Sequence, residues 1–248
     1  ISMQQQMELS SLPKAKESIE DQYQELLIRL EAYRRELESE AEINYQEMVD
    51  YYTLWAHQIK TPIAAMKLLN QSDQIDRRAM EAELFKTEQY VEMVLSYLRA
   101  GNLSSDLVLQ RYFLDEIAKK AIRKYSSLFI LKKIELEFHP SKVEVLTDER
   151  WAVFVVEQIL SNALKYTKKG KIIVQIKGDS IIVRDTGIGI SREDLPRVME
   201  KGFTGYNGRQ DRKSTGIGLY LCKKIMKKLG HLIEIESEVG KGTTVILN

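Results

Sequence analysis

The stretch DTGIGI at residues 185–190 follows a run of apolar residues and carries two glycines. A glycine pair after a strand is usually only a turn, so the stretch alone is a weak signal. Asp185, however, ends the hydrophobic run, where a buried carboxylate can accept a hydrogen bond from an exocyclic amine such as that of adenine. The stretch therefore predicts a strand that ends beside a nucleotide pocket.

Two further glycine clusters follow, GIGL at residues 216–219 and GKGT at residues 240–243. Each alone is as weak as the first. Gly216 and Gly218 come after a polar loop and open an apolar, helix-periodic segment. Their bare backbone N–H groups and the positive end of that helix predict a phosphate site.

A polar face is predicted on the helix that precedes these clusters. In EQILSNALKY, residues 157–166, helical steps of four and three put Gln158, Asn162 and the pair Lys165 and Tyr166 on one side. An amide there can offer its carbonyl oxygen to Mg²⁺, and a lysine one turn away can meet a phosphate. A solvated helix face is the simpler alternative, but the ordered set of motifs favours a site.

Around these motifs the second half of the chain mixes strands and helices. All 13 glycines fall at or after Gly101, which indicates two architectures joined near that residue. Comparable numbers of strands and helices predict an α+β sandwich with one helical layer on a sheet. We expect strands at about 108–113, 134–138, 143–147, 171–177, 180–185, 231–237 and 243–247, and helices near 114–128, 149–167, 191–199 and 216–229.

The first hundred residues predict long helices. One apolar seam with alternating steps of four and three comprises Ile19, Tyr23, Leu26, Leu30, Tyr33 and Leu37; after a one-residue shift it continues through Ala41, Asn44, Met48, Tyr51 and Trp55. A second seam comprises Met80, Leu84, Thr87, Val91, Val94 and Leu98. Two such helices around the polar break at 70–76 form a hairpin, which we expect to pair with a second copy as a four-helix bundle. The predicted domains are 1–40, 41–101 and 102–248.

Composition restricts the class of protein further. The chain has 248 residues and a net charge of +1, with 11 Lys and Arg against 18 Asp and Glu in residues 1–100 and 26 against 18 thereafter. One cysteine, Cys222, excludes an intrachain disulfide, and the scattered histidines predict no zinc site. The sequence contains no run of about 18 apolar residues, so it predicts no membrane span. The basic loop 201–215 lacks aromatic interleaving and a recognition helix, so we expect no nucleic-acid partner.

Taken together, the motifs resemble a known family. Asn162 and Lys165 followed by DTGIGI, GIGL and GKGT resemble the ATP-binding domain shared by sensor histidine kinases, Hsp90, gyrase and MutL. In the helical half, HQIKTP at residues 57–62 is similar to the phosphoacceptor box of histidine kinases. The form HQIKTPI, with KGFTG at residues 201–205, is most similar to the small Firmicute kinases that sense antimicrobial peptides alongside an ABC transporter.

This resemblance implies a histidine autokinase that uses ATP and Mg²⁺. It implies phosphorylation of His57, transfer to an aspartate of a response-regulator receiver domain, a homodimer, and a cytoplasmic fragment of a protein anchored in the bacterial membrane by segments outside this sequence. Asn162 would hold the metal, and loop 201–215 would be a lid with Phe203 as its anchor. The expected nucleotide contacts are Gln158, Asn162, Lys165, Tyr166, Asp185, Gly187, Gly189, Ile190, Phe203, Arg209, Gly216, Gly218, Leu219 and Thr243.

The helix pattern supports the acceptor independently. His57 lies two positions beyond the seam residue Trp55, about 200° around the helix, so it faces outward. Gln58 stands where most histidine kinases have an acid; it can orient the imidazole but cannot take its proton. Thr61 either restarts the helix around Pro62 or orients a water that hydrolyses the partner's phosphoaspartate. Pro62 either loosens the helix beside His57 or is simply tolerated.

Two other functions compete with the kinase. Related ATPases activate water with a glutamate one turn before the Mg²⁺ asparagine, but this chain has Gln158 there, one turn before Asn162. Glu157 is one residue away and points about 100° aside, which disfavours simple hydrolysis. The second competitor, a dimerising module that has lost its chemistry, is disfavoured by the intact acceptor and nucleotide motifs.

Overall fold

The structure is a computed structural model that describes residues 18–71, 76–101, 107–205 and 216–248. It divides into two compact units, residues 1–54 and 55–248. Helices within the described ranges are too short or too polar for any of them to cross a membrane.

Two long helices make up the N-terminal part, as the seams predict. Helix α1 is Ser18–Asn70 and helix α2 is Arg77–Gly101. Exposed ion pairs one turn apart, such as Arg29 with Glu25 at 2.6 Å, decorate α1 within the first unit. The Asp76 carboxylate caps α2 by accepting the backbone N–H groups of residues 78 and 79 at 3.0 and 3.1 Å. Helix α1 continues without interruption through residue 41, where the seam shifts register.

Within the second unit, α2 packs against the C-terminal part of α1 as a hairpin. The indole N–H of Trp55 donates to the backbone carbonyl of Tyr90 at 2.9 Å. The Tyr90 hydroxyl donates to the side-chain oxygen of Gln58 at 3.2 Å. These two bonds place the turn of α2 around Tyr90 beside His57. They confirm the predicted hairpin.

The remainder is the predicted α+β sandwich. Its elements are β1 (Gln110–Phe113), α3 (Leu114–Lys132), β2 (Glu135–His139), β3 (Glu144–Thr147), α4 (Glu149–Tyr166), β4 (Lys171–Lys177), β5 (Ser180–Asp185), α5 (Gly218–Leu229), β6 (Ile233–Glu238) and β7 (Gly242–Leu247). The main sheet has five strands in the order β2-β4-β5-β7-β6, in which β2 and β4 run parallel and the other pairs antiparallel. Strands β1 and β3 pair antiparallel in a separate two-stranded sheet.

Three helices cover one face of the main sheet. In β4, Ile172, Val174 and Ile176 alternate with more exposed residues, as a strand with one face on a core requires. Leu160 of α4 and Leu221 of α5 are fully buried in the same cluster. Burial of each such side chain contributes about 1.5–3 kcal/mol to the stability of the fold. The cluster is therefore the hydrophobic core of this domain.

One element differs from the prediction. Residues 191–199 do not form an α-helix; they form turns around a short 3-10 helix, Leu195–Arg197. Pro196 lacks a backbone N–H and disfavours α-helical geometry in the residue before it, which limits a helix here to a single tight turn. Helix α3 extends to residue 132, four residues beyond its predicted end, and closes on Lys133 in a left-handed conformation.

Candidate functional site

Asp185 is the buried carboxylate that the sequence predicts at the end of β5. Its Oδ1 accepts the backbone N–H groups of Gly187 at 2.8 Å and Thr243 at 3.3 Å. Burial raises the pKa of this carboxyl, and the two backbone bonds partly oppose the rise. Within the described ranges Oδ2 accepts no hydrogen bond, so that oxygen is available to a donor on a ligand.

The turn after Asp185 is held between two other elements. Gly189 has φ +70, and a Cβ there would lie 2.1 Å from the carbonyl oxygen of Glu238, so only glycine fits. The N–H of Ile188 donates to the carbonyl of Tyr166 at the end of α4, and the N–H of Ile190 donates to the hydroxyl of Ser237 at 2.8 Å. The first and third glycine clusters therefore meet at the C-terminal end of α4.

The predicted amide and lysine residues of helix α4 differ in their burial. Its first turn is capped by the buried carboxylate of Asp148, which accepts the Trp151 N–H at 3.2 Å. Gln158 is buried, whereas Asn162, Lys165 and Tyr166 are half-buried at the end of the helix. The Lys165 ammonium lies 5.2 Å from the centre of the Tyr166 ring.

The second glycine cluster lies against α4. Helix α5 begins at Gly218, and a Cβ at that residue would lie 3.1 Å from Oε1 of Gln158. Leu219 is half-buried and packs on the core, so it supports the helix start. The first N–H groups of α5 have no partners within the helix, which makes its N-terminus a favourable place for an anion.

The predicted lid is described only at its start. Phe203 is half-buried, and the guanidinium of Arg197 lies 4.5 Å from the centre of its ring. This cation–π contact agrees with an anchoring role for Phe203. Arg209, the predicted γ-phosphate contact, lies outside the described residues, as do residues 206–215 in general.

The predicted phosphoacceptor motif lies on helix α1. His57 is exposed, and within the described ranges its imidazole makes no hydrogen bond or ion pair. Gln58 is half-buried and its side-chain oxygen accepts the hydroxyl of Tyr90. The Thr61 hydroxyl lies 3.5 Å from the carbonyl oxygen of His57, and Pro62 is buried inside the helix. The outward orientation predicted for His57 is the one found.

Two residues that support the site, Ser237 and Tyr90, are not predicted from the sequence. Ser237 accepts the N–H of Ile190 and donates to the carbonyl of Gly242 at 2.9 Å, which ties the two glycine turns together. Tyr90 positions Gln58 but lies outside the apolar seam of α2. A serine among the alternating isoleucines and glutamates of β6 is the only sequence signal for Ser237; nothing local indicates Tyr90.

The residues present fit a nucleotide. A buried carboxylate with one available oxygen, turns that only glycine can form, and a helix N-terminus together match an adenine and its phosphates. No cluster of three or more metal-binding side chains occurs in the described parts of the chain. Among the predicted site residues, Asn162 is the one whose side-chain oxygen could bind a Mg²⁺ ion.

Comparison with known proteins agrees with this geometry. The family model described as histidine kinase-, DNA gyrase B-, and HSP90-like ATPase matches residues 147–248. The chain is 30% identical to the sensor protein BceS of Halalkalibacterium halodurans, over 97% of this chain and 74% of that protein. It is 33% identical to the sensor histidine kinase GraS of Staphylococcus epidermidis, over 93% of this chain and 68% of the relative. For the sensor histidine kinase YxdK of Bacillus subtilis the identity is 32%, over 88% and 69%.

Solved structures share the fold. The histidine kinase AdeS of Acinetobacter baumannii superimposes with a TM-score of 0.54 at 20% identity, covering 77% of this chain and 96% of that one. Full-length ShkA in complex with AMPPNP gives a TM-score of 0.53 at 18% identity, covering 79% of this chain and 44% of that one. At these identities the likeness concerns the fold alone.

Proposed function

The chain belongs to the sensor histidine kinases of two-component systems, and from this membership we propose that it transfers the γ-phosphoryl group of ATP to His57. Use of ATP follows from the ATPase-type domain. The observation that carries the choice of acceptor is the exposed imidazole of His57 on α1, beside a Gln58 whose side chain is held by Tyr90.

The chemistry at His57 is an in-line displacement. The lone pair of one nitrogen of the neutral imidazole attacks the γ-phosphorus. The bond from phosphorus to the β,γ-bridging oxygen breaks, ADP leaves, and the proton on the other ring nitrogen passes to solvent. Gln58 cannot accept that proton, so its part would be to orient the ring, while its own side chain is held by the Tyr90 hydroxyl.

The nucleotide contacts complete the proposal. Asp185 would accept the adenine amine through Oδ2, and the N-terminus of α5 at Gly218 would meet phosphates. Asn162 would bind a Mg²⁺ ion that neutralises triphosphate charge, with Lys165 beside it. Phosphoryl transfer needs mostly positioning and charge stabilisation, which these groups supply.

Glu157 argues against simple ATP hydrolysis. Its carboxylate is 6% exposed and is paired with the Lys124 ammonium at 2.5 Å. Burial raises its pKa, and Lys124 opposes the rise. A carboxylate fixed in this way is not free to activate a water at the triphosphate, which supports transfer to histidine over release of phosphate.

Two-component membership implies a response-regulator partner, and we extend the proposal to its receiver aspartate as the next phosphoryl acceptor. Thr61, exposed one turn after His57, would orient the water that later hydrolyses the phosphoaspartate. Exposed apolar residues along α1, such as Leu26 and Leu30, support pairing of two copies. Association with an ABC transporter and attachment to a membrane through segments outside these residues rest on the family resemblance alone.

The test is incubation with γ-labelled ATP and Mg²⁺. The protein should become labelled, and the label should be acid-labile and alkali-stable, as a phosphoramidate is. His57→Ala should abolish labelling, whereas His139→Ala, which removes another exposed histidine, should not change it. Labelling of the His57 variant would refute the acceptor, and phosphate release without labelled protein would favour the ATPase.

A further inference from the structure

Three polar side chains form a row across one end of the main sheet, on the face that carries the helices. Asp185 ends β5, Thr243 lies at the start of β7, and Ser237 lies near the end of β6. The backbone N–H of Thr243 donates to Asp185 at 3.3 Å, and Thr243 is the register partner of Ser237. In each strand the residue two positions away packs in the hydrophobic core, so the row faces the helical layer.

The Ser237 hydroxyl is bonded to three groups. Its oxygen accepts the backbone N–H of Ile190 at 2.8 Å. It also lies 2.9 Å from the carbonyl oxygen of Gly242 and 2.9 Å from the hydroxyl oxygen of Thr243. A hydroxyl has one hydrogen to donate and two lone pairs that accept. Because a carbonyl oxygen only accepts, the single hydrogen of Ser237 goes to Gly242, and the two lone pairs receive Ile190 and Thr243.

These bonds fix the direction of the hydrogen bond between Ser237 and Thr243. Ser237 has no second hydrogen to give, so the Thr243 hydroxyl is the donor. The hydrogen of Thr243 is therefore used inside the protein. Toward a ligand, the Thr243 side-chain oxygen can act only as a hydrogen-bond acceptor.

The neighbouring Asp185 side chain is an acceptor as well. Its Oδ1 receives the backbone N–H groups of Gly187 and Thr243, and its Oδ2 accepts no hydrogen bond from the residues that the structure describes. An ionised carboxylate has no hydrogen to donate. Asp185 and Thr243, which are joined by a backbone hydrogen bond, thus offer two side-chain acceptors and no side-chain donor.

A pair of acceptors distinguishes purine bases by the group at position 6. Adenine carries an amine there, which donates, whereas guanine and hypoxanthine carry an oxygen, which accepts. An oxygen placed against two acceptors leaves all of these groups unpaired, and buried unpaired polar groups are strongly unfavourable. A Thr243 hydroxyl that could turn its hydrogen toward the base would donate to such an oxygen and weaken the distinction.

We propose that Ser237 is a positioning residue for base recognition: it receives the hydrogen of Thr243, keeps the Thr243 oxygen an acceptor, and so makes the pocket select a 6-amino over a 6-oxo purine nucleotide. The proposal rests on the proposed function, since it takes Asp185 and Thr243 as contacts of the base. Ser237 acts through Thr243 and not by contact with the nucleotide. Its bond to Ile190 also holds the turn that follows Asp185.

The test is calorimetric titration of the whole chain with ADP and with IDP, in which an oxygen replaces the amine at position 6, both in the presence of Mg²⁺. The wild-type protein should bind ADP more tightly. Ser237→Ala should lower the ratio of the ADP to the IDP association constant by about three- to tenfold, the range for one hydrogen bond between neutral groups. Ser180→Ala is the matched control: it removes a serine hydroxyl that bonds Asn248 at the other end of β5, and the ratio should not change.

Two further variants separate positioning from support of the fold. Ser237→Thr keeps the hydroxyl and should keep the wild-type ratio. In a Thr243→Val background, Ser237→Ala should leave the ratio unchanged, because the group through which Ser237 acts is already gone. Thermal unfolding of each variant confirms that it is folded. An equal loss of affinity for both nucleotides in Ser237→Ala, a Ser237→Thr ratio equal to that of Ser237→Ala, or an effect that persists in the Thr243→Val background would overturn the proposal.

The proposed function fails in a different way in the same experiments. A wild-type protein that binds neither nucleotide would refute the nucleotide site itself, whereas binding of ADP with the same ratio in wild type and Ser237→Ala would refute only the role of Ser237. In the autophosphorylation assay, Ser237→Ala should raise the KM for ATP and leave kcat unchanged, because it alters contacts with the base and not with the phosphates. A lower kcat at unchanged KM would overturn the positioning role.

Discussion

The helical region and the sandwich domain differ in the exposure of their apolar side chains. Leu160 of α4 has no exposed surface, whereas Leu30 of α1 is 62% exposed. The sandwich closes its core with three helices on one sheet, whereas the part of α1 in the first unit has no such layer among the described residues 18–54. The difference indicates that the sandwich is stabilised within one chain, and it supports the proposed pairing of the α1 seam with a second copy.

The polar groups differ between the two regions as well. Ion pairs on α1, such as Arg34 with Glu38, lie in solvent, where water and salt screen the attraction between the charges. In the sandwich, the Asp185 carboxylate is buried and held by backbone N–H groups. The first kind of polar group keeps a helix face hydrated, and the second is the group proposed to bind adenine.

The largest expected effect is in the sandwich core. Leu160→Ala should lower the free energy of unfolding of this domain by about 3–5 kcal/mol, because it leaves a cavity in a close-packed cluster. Leu232→Ala, which truncates an exposed leucine of the same domain, should change it by less than about 0.5 kcal/mol. Urea unfolding followed by circular dichroism measures both, and equal midpoints would contradict the assignment of the core.

A smaller effect is expected at the seam. Leu30→Lys should raise the dimer dissociation constant by about 100-fold, since two apolar side chains worth about 1.5 kcal/mol each are lost per symmetric dimer. The sandwich should unfold at an unchanged urea concentration. Analytical ultracentrifugation measures the dissociation, with Leu232→Lys as the control; unchanged association of the Leu30 variant would show that the seam is not the dimer interface.

The nucleotide pocket comes next. Asp185→Asn keeps an oxygen for the two backbone N–H groups but replaces the other acceptor by an N–H₂ group, which cannot receive the adenine amine. The affinity for ATP should fall about tenfold or more, since loss of a hydrogen bond to a charged group costs about 1.5–3 kcal/mol. Asp179→Asn, in the exposed turn before β5, serves as the control in the same calorimetric titration. Unchanged affinity at Asp185 would refute the adenine contact.

The smallest structural effect is expected at Thr61 on the exposed side of α1. Thr61→Ala should change stability by less than about 0.5 kcal/mol and leave autophosphorylation intact, because only a hydroxyl is removed. If the hydroxyl orients the hydrolytic water, a phosphorylated response regulator mixed with this variant and ADP should persist. Dephosphorylation at the wild-type rate would assign the hydroxyl to the helix alone, where it lies 3.5 Å from the His57 carbonyl.

Much of the fold and several site residues could be predicted because their signals are local. The alternation in β4, the seam of α2 and the outward position of His57 all depend on periods of two or three to four residues. The buried end of β5 at Asp185 and the helix start at Gly218 follow from the same kind of pattern. The prediction of a helix at 191–199 is wrong because Pro196 restricts the backbone there to a short 3-10 turn.

Only the tertiary structure decided the contacts between elements that lie far apart in the chain. Local pattern defines which face of α2 is apolar, but not that Tyr90 meets Gln58, that Gln89 meets Tyr125, or that Ser237 ties two glycine turns together. A polar side chain has the same local signal whether it faces water or a partner, because its partner is set by the packing of whole helices and strands. The sequence by itself therefore determined the elements, the nucleotide motifs and the outward position of His57, whereas the bonds that hold the catalytic domain against α2 arise from packing between surfaces that no short stretch of sequence encodes.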